Sequence, residues 1–520
     1  MKKTMKQHSF ASRLKSLVLV FGIALAFASC ANEDIAQNPN GTDNNKNFTI
    51  FSTGDPATRT SMESNGAFYW EAGDKIWVKD DNGAWQQSRN APTEKTASFK
   101  FEVPGSFTKT STYKVYYPGK NGNQNQVTIV ANQSQATPNT TAHFGTSGDC
   151  GMADAAWSNA KNGFAFTLDH KAAYLLFLPR TSNTILHDCY LTKVEVNSDN
   201  DITSTYTLDP TTGELTGTGT DNQITVELGG SGAYANGFPL TNNATSAAIN
   251  GAYVVIKPGT HTLKVRYWVK DIATGVAGTI TKILSSATYD QNKYYNITAN
   301  LDVKNYDGDH YYMWDAQQQY WKGYEWTKHL AAGTGQPTLQ GQPAGNYAQN
   351  NSDVSRWYHE GGSLGVRFDA TQSCAGLPNV NEMTWYAAKG DPRWDADELW
   401  TTMGHLYKGG MWFKKKAYIS GYNSNTAVDN TDWRTNGNGD NWLASYTLPS
   451  AADANKYFYL PALGTYNSGQ LANVGGYGYY WSSSANPWNG DGACNLYFYS
   501  GYVYVSYSSR IYGFRVGGFE

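Results

Sequence analysis

The chemistry that is easiest to assign in this sequence belongs to Cys30, which ends the tetrapeptide Phe-Ala-Ser-Cys at residues 27–30. The tetrapeptide follows a basic segment and an apolar run at residues 17–28, which is shorter than the roughly 20 residues that span a bilayer. Residues 1–29 are therefore predicted to be a cleaved lipoprotein signal peptide, with the lipid on the sulfur of Cys30. Phe27 stands where such motifs usually have Leu. The alternative is an ordinary cleaved signal in which Cys30 has no role.

Four further cysteines, Cys150, Cys189, Cys374 and Cys494, define the redox chemistry that the chain could support. An even number in an exported chain permits two disulfides. Proximity in sequence suggests Cys150–Cys189 and Cys374–Cys494. Three connectivities exist, and free buried thiols are the alternative.

Enzymatic and metal chemistry find little support in the sequence. It lacks the H-E-x-x-H, G-x-S-x-G, phosphate-loop and dinucleotide motifs. A nucleophile would need a nearby base, and His405 is the only histidine between residues 360 and 520. Residues 307–310 and 432–440 contain Asp, Asn and Gly in patterns that could bind calcium, but such stretches are more often turns. We predict no enzyme, no cofactor and no metal.

Aromatic residues offer a binding chemistry instead. Flat rings stack on the C–H faces of sugars, while Asn and Asp bond the hydroxyls. Trp433, Trp442 and Trp488 lie in segments rich in Asn, Asp and Gly and are the better ligand candidates, together with Asp432 and Asp440. Further candidates among the aromatic residues are Trp481, Tyr502 and Tyr504. The alternative is packing within a β protein, since every second residue of a strand points inward.

Charge and composition narrow the class of protein. Residues 1–29 contain five basic and no acidic residues, so their removal changes the formal net charge from −3 to −8. This charge argues against nucleic-acid binding, which needs a basic face. A charged fraction of 16% and 52 glycines are typical of an exported all-β protein with many turns. The length predicts two to four domains.

The elements that must position these residues are mostly short strands. Residues 30–47 are polar and are predicted to be a flexible linker. From Phe48 to Val303, alternating apolar segments separated by turns predict β-sandwiches. The span is large for one sandwich, so we divide it into domains at residues 48–182 and 183–303.

Motifs in this half resemble the fimbrillin family of Bacteroidetes. The motifs are Trp-Glu-Ala-Gly-Asp-Lys-Ile-Trp-Val at 70–78, Tyr-Lys-Val-Tyr-Tyr-Pro at 113–118, Leu-Asp-His-Lys-Ala at 168–172, Leu-Asp-Pro-Thr-Thr-Gly-Glu-Leu at 208–215 and Tyr-Tyr-Asn-Ile-Thr at 294–298. The resemblance implies two transthyretin-like β-sandwiches, lipoprotein export and assembly into fimbriae by strand exchange. Arg59 lies where family members are cut after a basic residue. Its alternative role is that of a solvated arginine at a strand end.

Residues 304–520 have a different composition, denser in Trp, Tyr, Gly and Asn. A capping box of Asn379 and Glu382 predicts a helix at residues 377–389, and residues 397–407 are expected to form a second helix. Late aromatic strands follow, two of them joined by a tight hairpin at Ser500-Gly501. Leu-Pro at 377–378, Tyr-Trp-Ser-Ser at 480–483 and Gly-Phe-Arg-Val at 513–516 resemble the major paralogous domain of gut Bacteroidetes. That domain is similar to the formylglycine-generating branch of C-type-lectin-like folds, which implies an α+β domain.

Together these features predict a lipid-anchored fimbrial adhesin at the outer-membrane surface. Its partners would be other fimbrial subunits and a glycan or host ligand bound by the C-terminal domain, with residues 430–492 facing outward. Because the chain continues for more than two hundred residues beyond Val303, we expect a tip position. The alternatives are a glycan-binding lipoprotein that does not polymerise and an enzyme with the formylglycine-generating-like fold.

Overall fold

The computed structural model describes residues 48–53, 61–62, 68–219, 221–306, 310–324, 345–361, 364–402 and 404–520. Cys30 and Arg59 lie outside these ranges, so lipidation and processing stay sequence predictions. Within the ranges, no helix is long and apolar enough to cross a membrane. Strands dominate the regular structure, which confirms the mainly β fold class.

The N-terminal part of the described chain folds mainly into one sheet. Its elements are β1 (Thr49–Thr53), β2 (Ser61–Met62), β3 (Phe68–Tyr69), β4 (Trp77–Lys79), β5 (Trp85–Gln87), β6 (Lys100–Val103), β7 (Tyr113–Tyr117), β8 (Gln126–Ile129), β9 (Asn132–Gln135), α1 (Phe144–Ser147), β10 (Gly151–Ser158), β11 (Gly163–Phe166) and β12 (Asp169–His170). The strand order is β5-β4-β7-β10-β11-β1-β6, and β12 pairs with β10.

Aromatic packing explains why these short strands hold together. Phe51 of β1 lies beside Phe164 of the parallel strand β11, and their rings stack with centroids 5.0 Å apart. Trp70 packs edge-on against Phe101 at 5.0 Å and against Tyr117 at 5.6 Å. All five residues are fully buried, so this core forms from alternate residues of strands that are only three to eight residues long.

The middle part contains the longest strands. Its elements are β13 (Ala173–Arg180), β14 (Cys189–Ser198), β15 (Ser204–Leu208), β16 (Leu215–Thr216), β17 (Gln223–Leu228), β18 (Phe238–Pro239), α2 (Ala247–Asn250), β19 (Ala252–Ile256), β20 (Gly259–Asp271), β21 (Ala277–Tyr289) and β22 (Tyr294–Asn300). Strand β13 is central in the sheet β19-β13-β22, and residues 173–177 are all buried. Its continuous apolar run is the pattern of a strand covered on both faces.

The C-terminal part combines one longer helix with a second set of strands. Its elements are β23 (Tyr311–Tyr312), α3 (Val380–Lys389), β24 (Arg393–Thr402), β25 (His405–Lys414), α4 (Trp433–Asn436), β26 (Asp440–Leu443), β27 (Tyr457–Pro461), β28 (Thr465–Asn467), β29 (Gln470–Ala472), β30 (Gly478–Ala485), β31 (Gly492–Tyr499), β32 (Tyr502–Ser509) and β33 (Phe514–Arg515). Short 3₁₀ helices occur at Leu186–Asp188, Gly232–Tyr234, Lys416–Tyr418 and Ala454–Lys456.

The capping box of α3 is present as predicted. The side chain of Asn379 accepts from the backbone N–H of Glu382 at 3.0 Å, and the Glu382 carboxylate accepts from the backbone N–H of Asn379 at 2.8 Å. The helix ends at Gly390, as the sequence also indicated. Most of its residues are buried, and it packs against β31 and β32.

The prediction of a helix at residues 397–407 is wrong, because these residues belong to the antiparallel hairpin of β24 and β25. Gly404, with φ of +74°, supports the turn between the strands. Leu399 and Trp400 are buried together with the β-branched residues that end β24. Strand pairing and burial therefore outweigh a helical propensity that was weak at the outset.

The same hairpin continues a sheet of the middle part. Among the described residues, nine strands join this sheet: eight run in the order β27-β25-β24-β21-β20-β14-β17-β9, and β18 pairs with β14. Strand β24 meets β21 in parallel through Thr279 and Glu398. The guanidinium of Arg266 donates to the Asp395 carboxylate at 2.9 Å, and the Glu398 carboxylate accepts from the backbone N–H of Thr281, also at 2.9 Å. We call these contacts the β21–β24 junction.

Candidate functional site

The four cysteines after Cys30 are free, buried thiols, so the expected disulfides Cys150–Cys189 and Cys374–Cys494 are not formed. The thiol of Cys189 donates to the carbonyl of Ile185 at 3.5 Å, and the sulfur of Cys374 accepts from the backbone N–H of Asp315 at 3.3 Å. The Cys494 thiol donates to a backbone carbonyl at 3.7 Å, and Cys150 packs in a hydrophobic core.

The environment of the thiols also bears on reactivity. Burial raises the pKa of Cys189, Cys374 and Cys494 to about 12 and that of Cys150 well above its ordinary value. Because the thiolate is the reactive form, these thiols are inert at neutral pH.

Trp433, one of the three tryptophans proposed to bind ligand, belongs to the core. Its side chain is only 3% exposed. Its indole N–H donates to the carboxylate of Asp429 at 2.9 Å, and its backbone N–H donates to the side chain of Asn381 at 2.8 Å. The ring is therefore not accessible to a sugar, and its burial stabilises the loop around α4. The proposal of Trp433 as a sugar platform is corrected accordingly.

Asp432 and Asp440 have different environments. Asp432 caps α4, and its carboxylate accepts from Arg434 Nε at 2.7 Å and from Asn381 Nδ2 at 2.8 Å. Although burial opposes the shift, these hydrogen bonds lower the pKa of Asp432. Its oxygens thus hold the loop together. Asp440 is exposed at the start of β26, where its carboxylate accepts from the backbone N–H of Asn441 at 2.8 Å.

Of the other aromatic residues predicted to bind ligand, Trp442, Trp488, Tyr502 and Tyr504 remain accessible, whereas Trp481 is fully buried. Trp442 is half-buried on the edge strand β26, with its ring stacked near Trp433 at 6.4 Å. Trp488 is 60% exposed and donates its indole N–H to the carbonyl of Asn436 at 2.8 Å. The structure separates them: Trp442 pairs with Val503, whose side chain points into the core, whereas Trp488 lies in the loop after β30.

A larger aromatic surface lies on the sheet β30-β31-β32-β26, and we call it the tyrosine face. Along these strands one set of alternate residues points inward and is buried, including Tyr480, Leu496, Phe498, Val503 and Val505. In the other set Trp481 and Asn495 are also buried, but the remaining members are largely half-buried tyrosines that form the tyrosine face. These residues are Tyr477, Tyr479, Tyr497, Tyr499, Tyr502 and Tyr504.

The rings of the tyrosine face are ordered by stacking. Tyr497 and Tyr504 pair across β31 and β32, with centroids 4.5 Å apart and 5° between ring planes. Tyr479 and Tyr497 pair across β30 and β31, with centroids 5.6 Å apart and 19° between planes. Stacked rings cover one another's faces, so this row presents ring edges and hydroxyl groups to the solvent. The predicted hairpin at Ser500-Gly501 joins two of its strands.

Hydroxyl groups and the edge strand complete the tyrosine face. The hydroxyls of Tyr499 and Tyr504 lie 3.2 Å apart, and their hydrogen bond raises the pKa of Tyr499 to about 12. On β26, Asn441 pairs with Tyr504 and Leu443 pairs with Tyr502, which places both side chains on the same face. Leu443 is 73% exposed. The whole face thus carries hydroxyls, one carboxamide and apolar edges, and it has no formal charge at neutral pH.

Sequence reasoning named only Tyr502 and Tyr504 of this surface. The signal for the rest was the period-two alternation of tyrosines at residues 477–479 and 497–504. That alternation identifies two faces but does not tell which one is covered by α3. Within the described ranges, no three His, Cys, Asp or Glu side chains are arranged so that they could bind a metal ion.

About half of this chain is similar to solved structures of Bacteroidetes. A candidate cell adhesion protein from Bacteroides ovatus matches 49% of this chain and 93% of its own, at 14% identity and a TM-score of 0.31. The fimbrial anchor protein Mfa2 from Porphyromonas gingivalis matches 46% and 83%, at 11% identity and a TM-score of 0.23. A fimbrial assembly protein from Parabacteroides distasonis matches 49% and 91%, at 12% identity and a TM-score of 0.24. No protein-family profile and no curated protein matches the chain.

Proposed function

We propose that this chain is a lipid-anchored surface adhesin of the fimbrillin class and that its tyrosine face binds a carbohydrate ligand. The family assignment rests on the ordered motifs of residues 48–303, and the location rests on the signal that ends at Cys30. The observation that carries the binding proposal is the row Tyr479, Tyr497 and Tyr504, whose stacked rings are half-exposed on one face of the sheet.

The chemistry of the tyrosine face suits a neutral saccharide. Tyrosine supplies a large amphipathic contact at low conformational cost, because its side chain has only two rotatable angles. Stacking fixes those angles before the ligand arrives, which lowers the entropy lost on binding. The hydroxyls of Tyr499 and Tyr504 and the amide of Asn441 can exchange hydrogen bonds with sugar hydroxyls, while the ring edges and Leu443 contact C–H groups.

We further propose that the protein occupies a terminal position in a fimbrium. The β21–β24 junction supports this position, because β24 pairs with β21 at Thr279 and so occupies the edge of β21 near the start of that strand. A covered edge cannot pair with a strand of another subunit. Other fimbrial subunits would then bind only to the N-terminal part.

A glycan array tests the binding proposal directly. The full chain is compared with the double variant Tyr497→Thr, Tyr504→Thr, in which Thr preserves strand propensity but removes the rings. We expect the double variant to lose about tenfold in affinity for the glycans bound by the parent.

The matched control is Tyr507→Thr, on the same strand as Tyr504 and 50% exposed but opposite Cys494, outside the tyrosine face. This variant should bind as the parent does. Equal binding by the double variant and the parent would show that the tyrosine face is not the binding surface.

A further inference from the structure

A second concave site lies away from the tyrosine face, and we call it the charged pocket. Its cavity of about 410 Å³ falls in the range of small-ligand sites. Four of its residues come from element ends: Asp391 follows α3, Arg393 begins β24, Lys414 ends β25 and Tyr457 begins β27. Because these elements pack together, residues more than sixty positions apart in sequence line one cavity.

The charged pocket contains more cations than anions. The guanidinium of Arg393 donates to both carboxylate oxygens of Asp391, at 3.0 and 2.8 Å. The amine of Lys456 donates to the Asp453 carboxylate at 2.7 Å. Lys414 is the third cation; its amine lies 3.5 Å from the Asp391 carboxylate, which already accepts from Arg393, and 5.9 Å from the centroid of the Tyr457 ring. One positive charge therefore has no carboxylate of its own in the cavity.

Both carboxylates of the pocket remain ionised at neutral pH. Burial opposes ionisation of Asp391, but hydrogen bonds from Arg393 and from the hydroxyl of Tyr457 lower its pKa below the ordinary value. The hydrogen bond from Lys456 lowers the pKa of Asp453. The pocket therefore has a net charge of +1, which belongs to Lys414. The side chain of Lys414 is 31% exposed.

An aromatic ring and a fixed loop complete the cavity. Tyr418 is 50% exposed and lines the same space as Lys414. The loop that carries Ser450 is held from outside the pocket, because the buried amine of Lys264 donates to the carbonyl of Pro449 at 2.6 Å. A cavity held in this way loses little freedom when a ligand enters.

We propose that the charged pocket binds a hexuronic acid residue of an acidic polysaccharide. The sugar carboxylate would pair with Lys414, the sugar ring would lie against Tyr418, and its hydroxyls would reach Asp453 and Ser450. A carboxylate matches the unbalanced cation, and an exposed ring beside hydroxyl-binding groups matches a pyranose. The proposal extends the adhesin function to a second ligand class, but it concerns different residues from the tyrosine face.

Isothermal titration calorimetry on the full chain tests the proposal with three small probes. The probes are D-glucuronate, D-glucose and acetate, which separate the acidic sugar from its neutral counterpart and from a bare carboxylate. We expect D-glucuronate to bind at least about tenfold more tightly than either of the others. Binding of D-glucose or acetate as tight as that of D-glucuronate would overturn the proposal, as would no binding of D-glucuronate.

Two pairs of variants locate the binding. Lys414→Gln should weaken D-glucuronate binding about tenfold, whereas Lys408→Gln, on the same strand but paired with Asp397 outside the pocket, should not. Tyr418→Ala should also weaken it, whereas the equally exposed Tyr507→Ala should not. Unchanged binding by Lys414→Gln would refute the site.

Thermal unfolding of each variant excludes loss of fold as the cause. Because the double variant Tyr497→Thr, Tyr504→Thr leaves the charged pocket intact, its D-glucuronate binding should equal that of the parent. If the glycan array shows that the tyrosine face does not bind glycans, the test of the charged pocket is therefore unaffected.

Discussion

Tyr497 and Tyr504 lie directly opposite each other on β31 and β32, with ring planes only 5° from parallel and centroids 4.5 Å apart. The pair is half-exposed, and Tyr479 continues the stack on the next strand at 5.6 Å from Tyr497. The row keeps part of its aromatic surface in contact with solvent, although Tyr479 also stacks on Phe514 at 4.9 Å. Its regular stacking thus fits a role in contact with another molecule.

The stacked pair should contribute measurably to stability. In a double-mutant cycle with Tyr497→Thr and Tyr504→Thr, we expect a coupling free energy of about 1 kcal/mol, because the rings interact beyond their separate burial. Urea unfolding of the four proteins measures it. Purely additive effects would mean that the rings do not stabilise each other in solution.

Lipid attachment should depend on one sulfur. Cys30→Ser should abolish labelling with a palmitate analogue, because the thioether can form only at that residue. Cys150→Ser is the matched control and should label fully, since its thiol is buried in the folded chain. Full label on the Cys30 variant would contradict the predicted signal.

The four buried thiols should remain unreactive until the chain unfolds. Alkylation of the native protein should leave Cys150, Cys189, Cys374 and Cys494 unmodified, because burial raises their pKa values and blocks access. In denaturant all four should react without a reducing agent. Mass spectrometry of the peptides reports both results, and a linked Cys374–Cys494 peptide would restore the disulfide hypothesis.

The β21–β24 junction should make stability depend on pH. Burial raises the pKa of Glu398 from 4.5 to about 7, so the folded chain holds this proton more tightly than the unfolded chain. The resulting stabilisation is complete below about pH 4.5 and is lost as the pH rises towards 7, on the order of 3 kcal/mol in all.

Glu398→Gln should remove this dependence. The amide can accept from the backbone N–H of Thr281 and donate to its hydroxyl without a buried charge, so the variant should be more stable than the parent at pH 8. Glu227→Gln, at an exposed carboxylate, is the control and should unfold like the parent. Denaturant midpoints at pH 5 and pH 8 give the comparison, and identical pH dependence of both variants would disprove the assignment.

Immunogold labelling of intact cells tests the terminal position. Gold at the distal ends of filaments is expected for a tip adhesin, because β24 occupies the edge of β21 at Thr279 and hinders pairing with another subunit there. Gold along whole filaments would make the protein a stalk subunit. Gold restricted to the membrane would favour the alternative of a glycan-binding lipoprotein that does not polymerise.

Local signals in the sequence were sufficient for several elements. The reciprocal hydrogen bonds of Asn379 and Glu382 depend on residues three positions apart, so the start of α3 could be read directly. The Ser500-Gly501 hairpin was predictable for the same reason. Where the hydrogen bonds of an element are local, sequence is a good guide.

Other features depend on contacts between residues that are far apart in sequence, and these could not be predicted. Strand β24 joins the sheet of the middle part because Glu398 meets Thr279 and Thr281, more than a hundred residues earlier. The burial of Trp433 depends on Asn381, fifty-two residues away. Lys414 and Asp391 share a cavity only because β25 ends beside the C-terminus of α3. None of these relationships leaves a periodic trace in the sequence.

The continuity of the sheet across β21 and β24 would have a mechanical consequence for the proposed adhesin. A pull on the proposed ligand-binding part would be transmitted to the proposed anchored part through β24, which contacts β20 at Asp395 and β21 at Glu398. The Arg266–Asp395 ion pair and the Glu398 hydrogen bonds are loaded together under such shear, because they lie within four residues on β24. The two halves of the chain would therefore resist separation as one body under flow.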